Sequence, residues 1–152
     1  MQTESFPILL VEDNKHDVRF VRRAWRQNNI TNPLFVVPHG EACLDFLHHR
    51  GEYSDAASFE NGTKYPRPGI VLMDVRMPVM DGIECLQAIR ADPEFKTLPV
   101  VMLTTSKEDQ DRVRSYELGC NTFIEKPVDF EKFSAAVRAI QVYWTLSTLP
   151  YG

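Results

Sequence analysis

The chain has 152 residues, 43% of them apolar and 25% charged, with a formal net charge of −4. Length and balance fit one soluble globular domain with an ordinary core and leave no room for a second. The acidic balance, without a basic stripe, argues against nucleic-acid binding, and no apolar run approaches a membrane span or a secretory signal, so a cytoplasmic chain is expected.

In chain order the pattern alternates strand and helix. Ile8 to Val11 is a continuous apolar run that stops abruptly at Glu12-Asp13-Asn14, which suits a strand covered on both faces of a parallel sheet. Val18, Val21 and Trp25 then fall on one stripe of a helix over about 15–28, ended by Asn28-Asn29 and Asn32-Pro33. Arg22, Arg23 and Arg26 share that helix and read as its solvated face. Leu34 to Val37 is a second strand, and Glu41 to His49 a second helix carried by Ala42, Leu44, Phe46 and Leu47. Adjacent His48 and His49 point about 100° apart on a helix, so they read as a solvated helix end rather than a metal pair.

Residues 51–69 are polar and rich in Gly, Ser and Pro, a surface insertion that serves either a binding role or none. Ile70 to Met73 is a third buried strand ending at Asp74, followed by a helix from Ile83 to Arg90 that stops near Asp92-Pro93. Val100 to Leu103 is a fourth strand ending at Thr104-Thr105-Ser106, and Lys107 to Leu118 a helix closed by Gly119. Thr122 to Ile124 is a short fifth strand before Lys126-Pro127. A last helix over about 130–146 lies within a C-terminal extension, 129–152. The economical fold is α/β, a doubly wound (βα)5 open parallel sheet in a single domain. The odd number of cysteines, Cys43, Cys85 and Cys120, with no CxxC, points to buried or half-buried thiols in a reducing compartment.

The residues that interrupt the apolar runs gather at the carboxyl ends of the strands, where such sheets bind ligands. Strand 1 delivers Glu12 and Asp13, strand 3 Asp74, strand 4 Thr104 and strand 5 Lys126. Three carboxylates placed together need a shared proton or a cation, and hard oxygen donors suit Mg²⁺. A lysine and a hydroxyl beside them complete a set that can neutralise a transferring phosphoryl group, with an aspartate as its nucleophilic acceptor.

The run DVRMPVMDG (Asp74 to Gly82), with LLVED before it and LTTS and FIEKP after it, resembles the receiver domains of two-component response regulators, over nearly the whole chain. The resemblance implies that Asp74 is the phosphoacceptor, supplied by a histidine kinase. It further implies Mg²⁺ held by Asp13, Asp74 and the backbone carbonyl of Arg76, with Glu12 acting through a bound water. Thr104 would turn its hydroxyl to the phosphoryl group, Phe123 would move into the space vacated, and Lys126, before a cis Pro127, would contact a phosphoryl oxygen. Taken alone, Phe123 reads as plain core; beside the rest of the set, core and switch are equally good readings. Thr105 and the long Arg76 flank the acceptor and are expected to slow attack by water, giving a persistent phosphoryl group.

A receiver without an effector domain, and with no enzymatic activity beyond its own phosphoryl transfer and loss, must signal through altered association. Phe130, Phe133, Val137, Ile140 and Trp144 form a narrow apolar seam on the last helix, and Val142, Tyr143 and Leu146 lie off it. That surface predicts a homodimer contact or a tail folded back on its own domain. The helix after strand 4 has few apolar residues and is expected to be loosely packed. The long segment before PRPGIVLMD, the LTTSKEDQD run and the long last helix further resemble the stand-alone regulators paired with bacterial phytochrome kinases. A phosphorelay carrier that hands its phosphoryl group to a histidine phosphotransfer protein is the alternative. Flavin binding and aspartyl-phosphatase chemistry are disfavoured by Glu12-Asp13 after strand 1 and by Arg76 two residues beyond Asp74.

Overall fold

The computed structural model describes residues 7–54, 65–104, 106–115 and 122–125, with isolated helical positions at 131, 135 and 138. Thr105, residues 116–121, Lys126-Pro127, the apolar seam of the last helix and the middle of the insertion lie outside the described residues. Within them the chain runs β1 (Ile8–Val11), α1 (Lys15–Gln27), β2 (Leu34–Val37), α2 (Gly40–His48), a short 3₁₀ turn (Gly51–Tyr53) and β3 (Ile70–Asp74). It continues through α3 (Gly82–Ala91), β4 (Val100–Thr104), α4 (Lys107–Ser115) and β5 (Thr122–Glu125).

All five strands are parallel, in the order β2-β1-β3-β4-β5. The expected doubly wound sheet is therefore present. Alternation along the strands separates two cores, one on each face. Leu9, Val11, Val71, Met73, Val100 and Met102 pack under α2 and α3, against Phe46, Leu47, Leu86 and Ile89. Their neighbours Ile8, Leu10, Ile70, Leu72, Val101 and Leu103 pack on the other face with Val21, Ala24 and Trp25 of α1. This two-sided cover is why β1, β3 and β4 carry no polar residue until their ends, and each such side chain contributes about 1.5–3 kcal/mol on full burial.

The helix ends follow from local chemistry. Asn14 caps α1, its side chain accepting the N–H groups of His16 and Asp17 at 2.8 and 3.1 Å. The helix stops where the Asn28 side chain donates to the Ala24 carbonyl at 2.8 Å and Asn29 turns left-handed at φ 52°. The Trp25 indole N–H donates to the carbonyl of Asn32 at 3.1 Å, pinning the return into β2. As expected, Arg22, Arg23 and Arg26 lie on the exposed face.

Three expectations are corrected. Helix α2 begins at Gly40, not Glu41, because the His39 side chain caps it by accepting the Ala42 N–H at 3.0 Å. It ends at His48, with His49 left-handed at φ 54°. Nor is this a solvated helix end: both histidines are half-buried, and His48 stands edge-on to Phe95 while its Nε2 meets Asp92 at 3.1 Å. The insertion is anchored at both ends, since Tyr53 and Tyr65 pack on each other and on Phe46. No described helix is long and apolar enough to cross a membrane.

Candidate functional site

The order of strands reverses between β1 and β3, so their carboxyl ends share the crevice where open α/β sheets take ligands. Register pairs Val11 with Met73, which sets Glu12 and Asp13 beside Asp74. The carboxylates of these three residues each place an oxygen within 4.8 Å of the others. Glu12 and Asp74 are buried and Asp13 is exposed, so the cluster opens to solvent on one side. Glu12 accepts the N–H of Asn14 at 3.2 Å, which ties it to the cap of α1. Asp74 accepts the N–H of Arg76 through Oδ1 at 3.4 Å. Three carboxylate oxygens this close repel one another strongly, and their hardness and number fit a divalent cation of the Mg²⁺ type. The sequence placed these three together correctly.

The loop after Asp74 is shaped by close backbone contacts. Val75 N–H reaches across to the carbonyl of Leu103 at 3.0 Å, and Gly82 N–H returns to the carbonyl of Val75 at 2.8 Å. A side chain at Gly82 would meet the Asp74 carbonyl at 2.3 Å, so only glycine lets α3 start this near the end of β3. Asp81 and Glu84 form a reciprocal capping box at that start. Between them and Asp74, Met80 N–H bonds back to Pro78 at 2.8 Å, holding Val79 at φ 71°. That conformation costs a β-branched residue on the order of 1–3 kcal/mol, and Val79 is 73% exposed.

The Arg76 side chain does not lie free beside Asp74. Its guanidinium donates from Nε and an Nη to the two oxygens of Asp109 at 3.0 and 2.9 Å. The bonds to Asp109 raise the guanidinium pKa above its ordinary value, with smaller additions from Glu108 and Asp74. Asp109, fully buried in α4, was not singled out by the sequence; five charged neighbours in KEDQDRVRS disguise it as part of a solvated face. Arg112 extends the charge chain, lying 3.8 Å from Asp109 and 3.9 Å from Asp81. Among the described residues, α4 inserts one apolar residue, Val113, and one buried carboxylate, Asp109; Tyr116 and Leu118, which the expectation of a loosely packed helix also named, lie outside them.

Thr104 is fully buried at the end of β4, one position beyond the Asp74–Leu103 pair, and accepts a hydrogen bond from Gln110 Nε2 at 3.3 Å. Phe123 on β5 is half-buried, packed against the core cluster, with the Arg114 guanidinium 4.8 Å from its ring centre. Lys126 follows β5 directly but lies outside the described residues. A further pairing escaped the sequence. Cys43 of α2 and Cys85 of α3 are both fully buried, and the hydrogen bond with Cys85, then burial, push the Cys43 thiol well above its ordinary range.

Residues 8–138 match the response regulator receiver domain family. Response regulator Rcp1 of Synechocystis sp. is 36% identical over 154 residues, covering 99% of both chains. Among solved structures, the phosphorylated cyanobacterial phytochrome response regulator RcpA superposes with a TM-score of 0.78 at 33% identity, over 97% of this chain and 99% of that one. The Mn²⁺-bound form of Rcp1 gives 0.75 at 37% identity, over 95% and 99%. With the carboxylate cluster at the β1–β3 switch point and this likeness over nearly its whole length, the chain belongs to the response regulator receiver domain family.

Proposed function

We propose that this chain takes a phosphoryl group from a histidine kinase onto Asp74 and signals by altering its protein contacts. The observation that carries this reading is the convergence of Glu12, Asp13 and Asp74 at 4.8 Å or less on the sheet's ligand-binding edge. Phosphorylation of the relative RcpA supports it. In the transfer an Asp74 oxygen attacks phosphorus, the bond from phosphorus to the kinase imidazole nitrogen breaks, and its electron pair leaves on that nitrogen. Asp13 and Asp74, with the carbonyl of Arg76 and with Glu12 at one remove, would hold Mg²⁺; Mn²⁺ in the relative Rcp1 supports a divalent site. The ion, when bound, supplies positive charge to the oxygens of the transferring group.

Thr104 and Lys126 would then hold the acquired phosphoryl oxygens, and Phe123 would respond to the turn of Thr104. The chain turns over no separate substrate. Its kinase is proposed to be of the phytochrome type, on the strength of the names its relatives carry, and its output a self-association through the apolar last helix. Incubation with a small-molecule phosphodonor and Mg²⁺ should add one phosphoryl mass to the natural chain and none to Asp74→Asn. Equal labelling of both would refute the assignment of the acceptor.

A further inference from the structure

Helix α4 is fastened to the acceptor end of the sheet through its first turn. The Ser106 hydroxyl accepts the Asp109 N–H at 3.2 Å, and Asp109 takes both bonds of the Arg76 fork. These contacts fix the residue that follows, Gln110, whose amide donates to the Thr104 hydroxyl oxygen at 3.3 Å. Thr104 is fully buried, so its hydroxyl finds its partners within the protein. The bond accepted from Gln110 ties the Thr104 oxygen to α4, whereas a phosphoryl group on Asp74 would stand at the end of β3, the strand paired with β4.

We infer that Gln110 is a positioning residue, holding the Thr104 hydroxyl toward α4 in the resting chain and so setting how readily Asp74 takes up a phosphoryl group. The inference rests on the reading of Asp74 as acceptor. The turn of Thr104 toward the phosphoryl group, as proposed above, carries its oxygen away from Gln110 and breaks this bond, so the bond stabilises the unphosphorylated arrangement alone. The Arg76–Asp109 pair acts one step behind it by keeping the turn that carries Gln110 in place.

Phosphoramidate with Mg²⁺ as donor, followed by intact mass over time, tests the idea on the natural chain, Gln110→Met, Thr104→Val and the double variant. Methionine keeps the length and helix preference of glutamine but has no donor; Gln110→Leu serves as a second donor-free variant. Removing the bond should speed uptake about two- to tenfold, the ratio equivalent to one hydrogen bond of ordinary net strength. The gain should vanish in the Thr104→Val background, where there is no hydroxyl to hold; a general loosening of α4 would persist there. An equal or slower rate in both donor-free variants, or the same gain with and without the Thr104 hydroxyl, overturns the inference while leaving the acceptor in place. No labelling of the natural chain would remove the acceptor reading and this inference with it.

Discussion

Gly82→Ala places one methyl group where the fold has no space for it. The added carbon would stand 2.3 Å from the Asp74 carbonyl oxygen, 2.9 Å from Val75 Cα and 3.0 Å from Met102 Cε. Met102 has rotatable bonds and can give way, but the first two obstacles are backbone atoms of the acceptor loop. Ordinary contact begins near 3.4 Å, so α3 and that loop must part by about 1 Å. Overpacking of this kind costs about 1–3 kcal/mol, and an obstacle that cannot rotate away favours the upper end. For a domain of this length that lowers the melting midpoint by about 2–4 °C per kcal/mol. The displaced atoms include those of Asp74, and with Asp74 as the proposed acceptor a misplacement of about 1 Å at the reacting group costs roughly a hundredfold in rate. Urea unfolding and phosphoryl uptake, measured on the same preparation, should therefore fall together. A variant with the natural unfolding midpoint and natural uptake would show that the approach of α3 does not position the acceptor.

Two further effects are expected. Asn14→Ala removes the side-chain bonds to His16 and Asp17 at the start of α1, and should lower stability by about 0.5–2 kcal/mol in urea titrations. Cys43 makes stability sensitive to alkali. Its thiol pKa is raised above the ordinary 9.0 by the bond with Cys85 and by burial, so the folded chain keeps a proton that the unfolded chain releases. That contribution is complete below the unfolded pKa and is lost as pH climbs beyond it, at up to about 1.4 kcal/mol per pH unit. Urea midpoints compared between pH 7.5 and 10 (roughly the span around a free thiol's titration) should decline at the upper end, and Cys43→Ala should shrink the decline.

The strands were legible because burial on both faces leaves an unmistakable mark: Ile8–Val11, Ile70–Asp74 and Val100–Thr104 are apolar until a polar residue ends the run. The same abruptness exposed Glu12, Asp13, Asp74 and Thr104. What escaped was set by tertiary contact alone. Arg76 and Asp109 are 33 residues apart, and nothing local distinguishes Asp109 from the solvated charges around it. The Cys43–Cys85 neighbourhood depends on the packing of α2 on α3, where Gly40 allows Cys85 Cβ to come close. At the end of α2 the helix length was read nearly correctly, but the burial of His48 and His49 depends on Phe95 and Asp92, from a different part of the chain.

The anchoring of α4 has a consequence for how this chain can change over evolutionary time. Helices α1, α2 and α3 each bury an apolar face, so their positions and the stability of the whole domain rest on the same contacts. Among the described residues, helix α4 is held by Val113, which belongs to one core, and by directional bonds at Asp109 and Gln110, and those bonds can be exchanged without opening a cavity in either core. Substitutions at exposed positions of α4 that touch none of these partners should add independently to substitutions in the sheet, whereas those at Asp109 and Gln110 should couple to Arg76 and Thr104. The exposed face of α4 can vary while folding is maintained by the two cores.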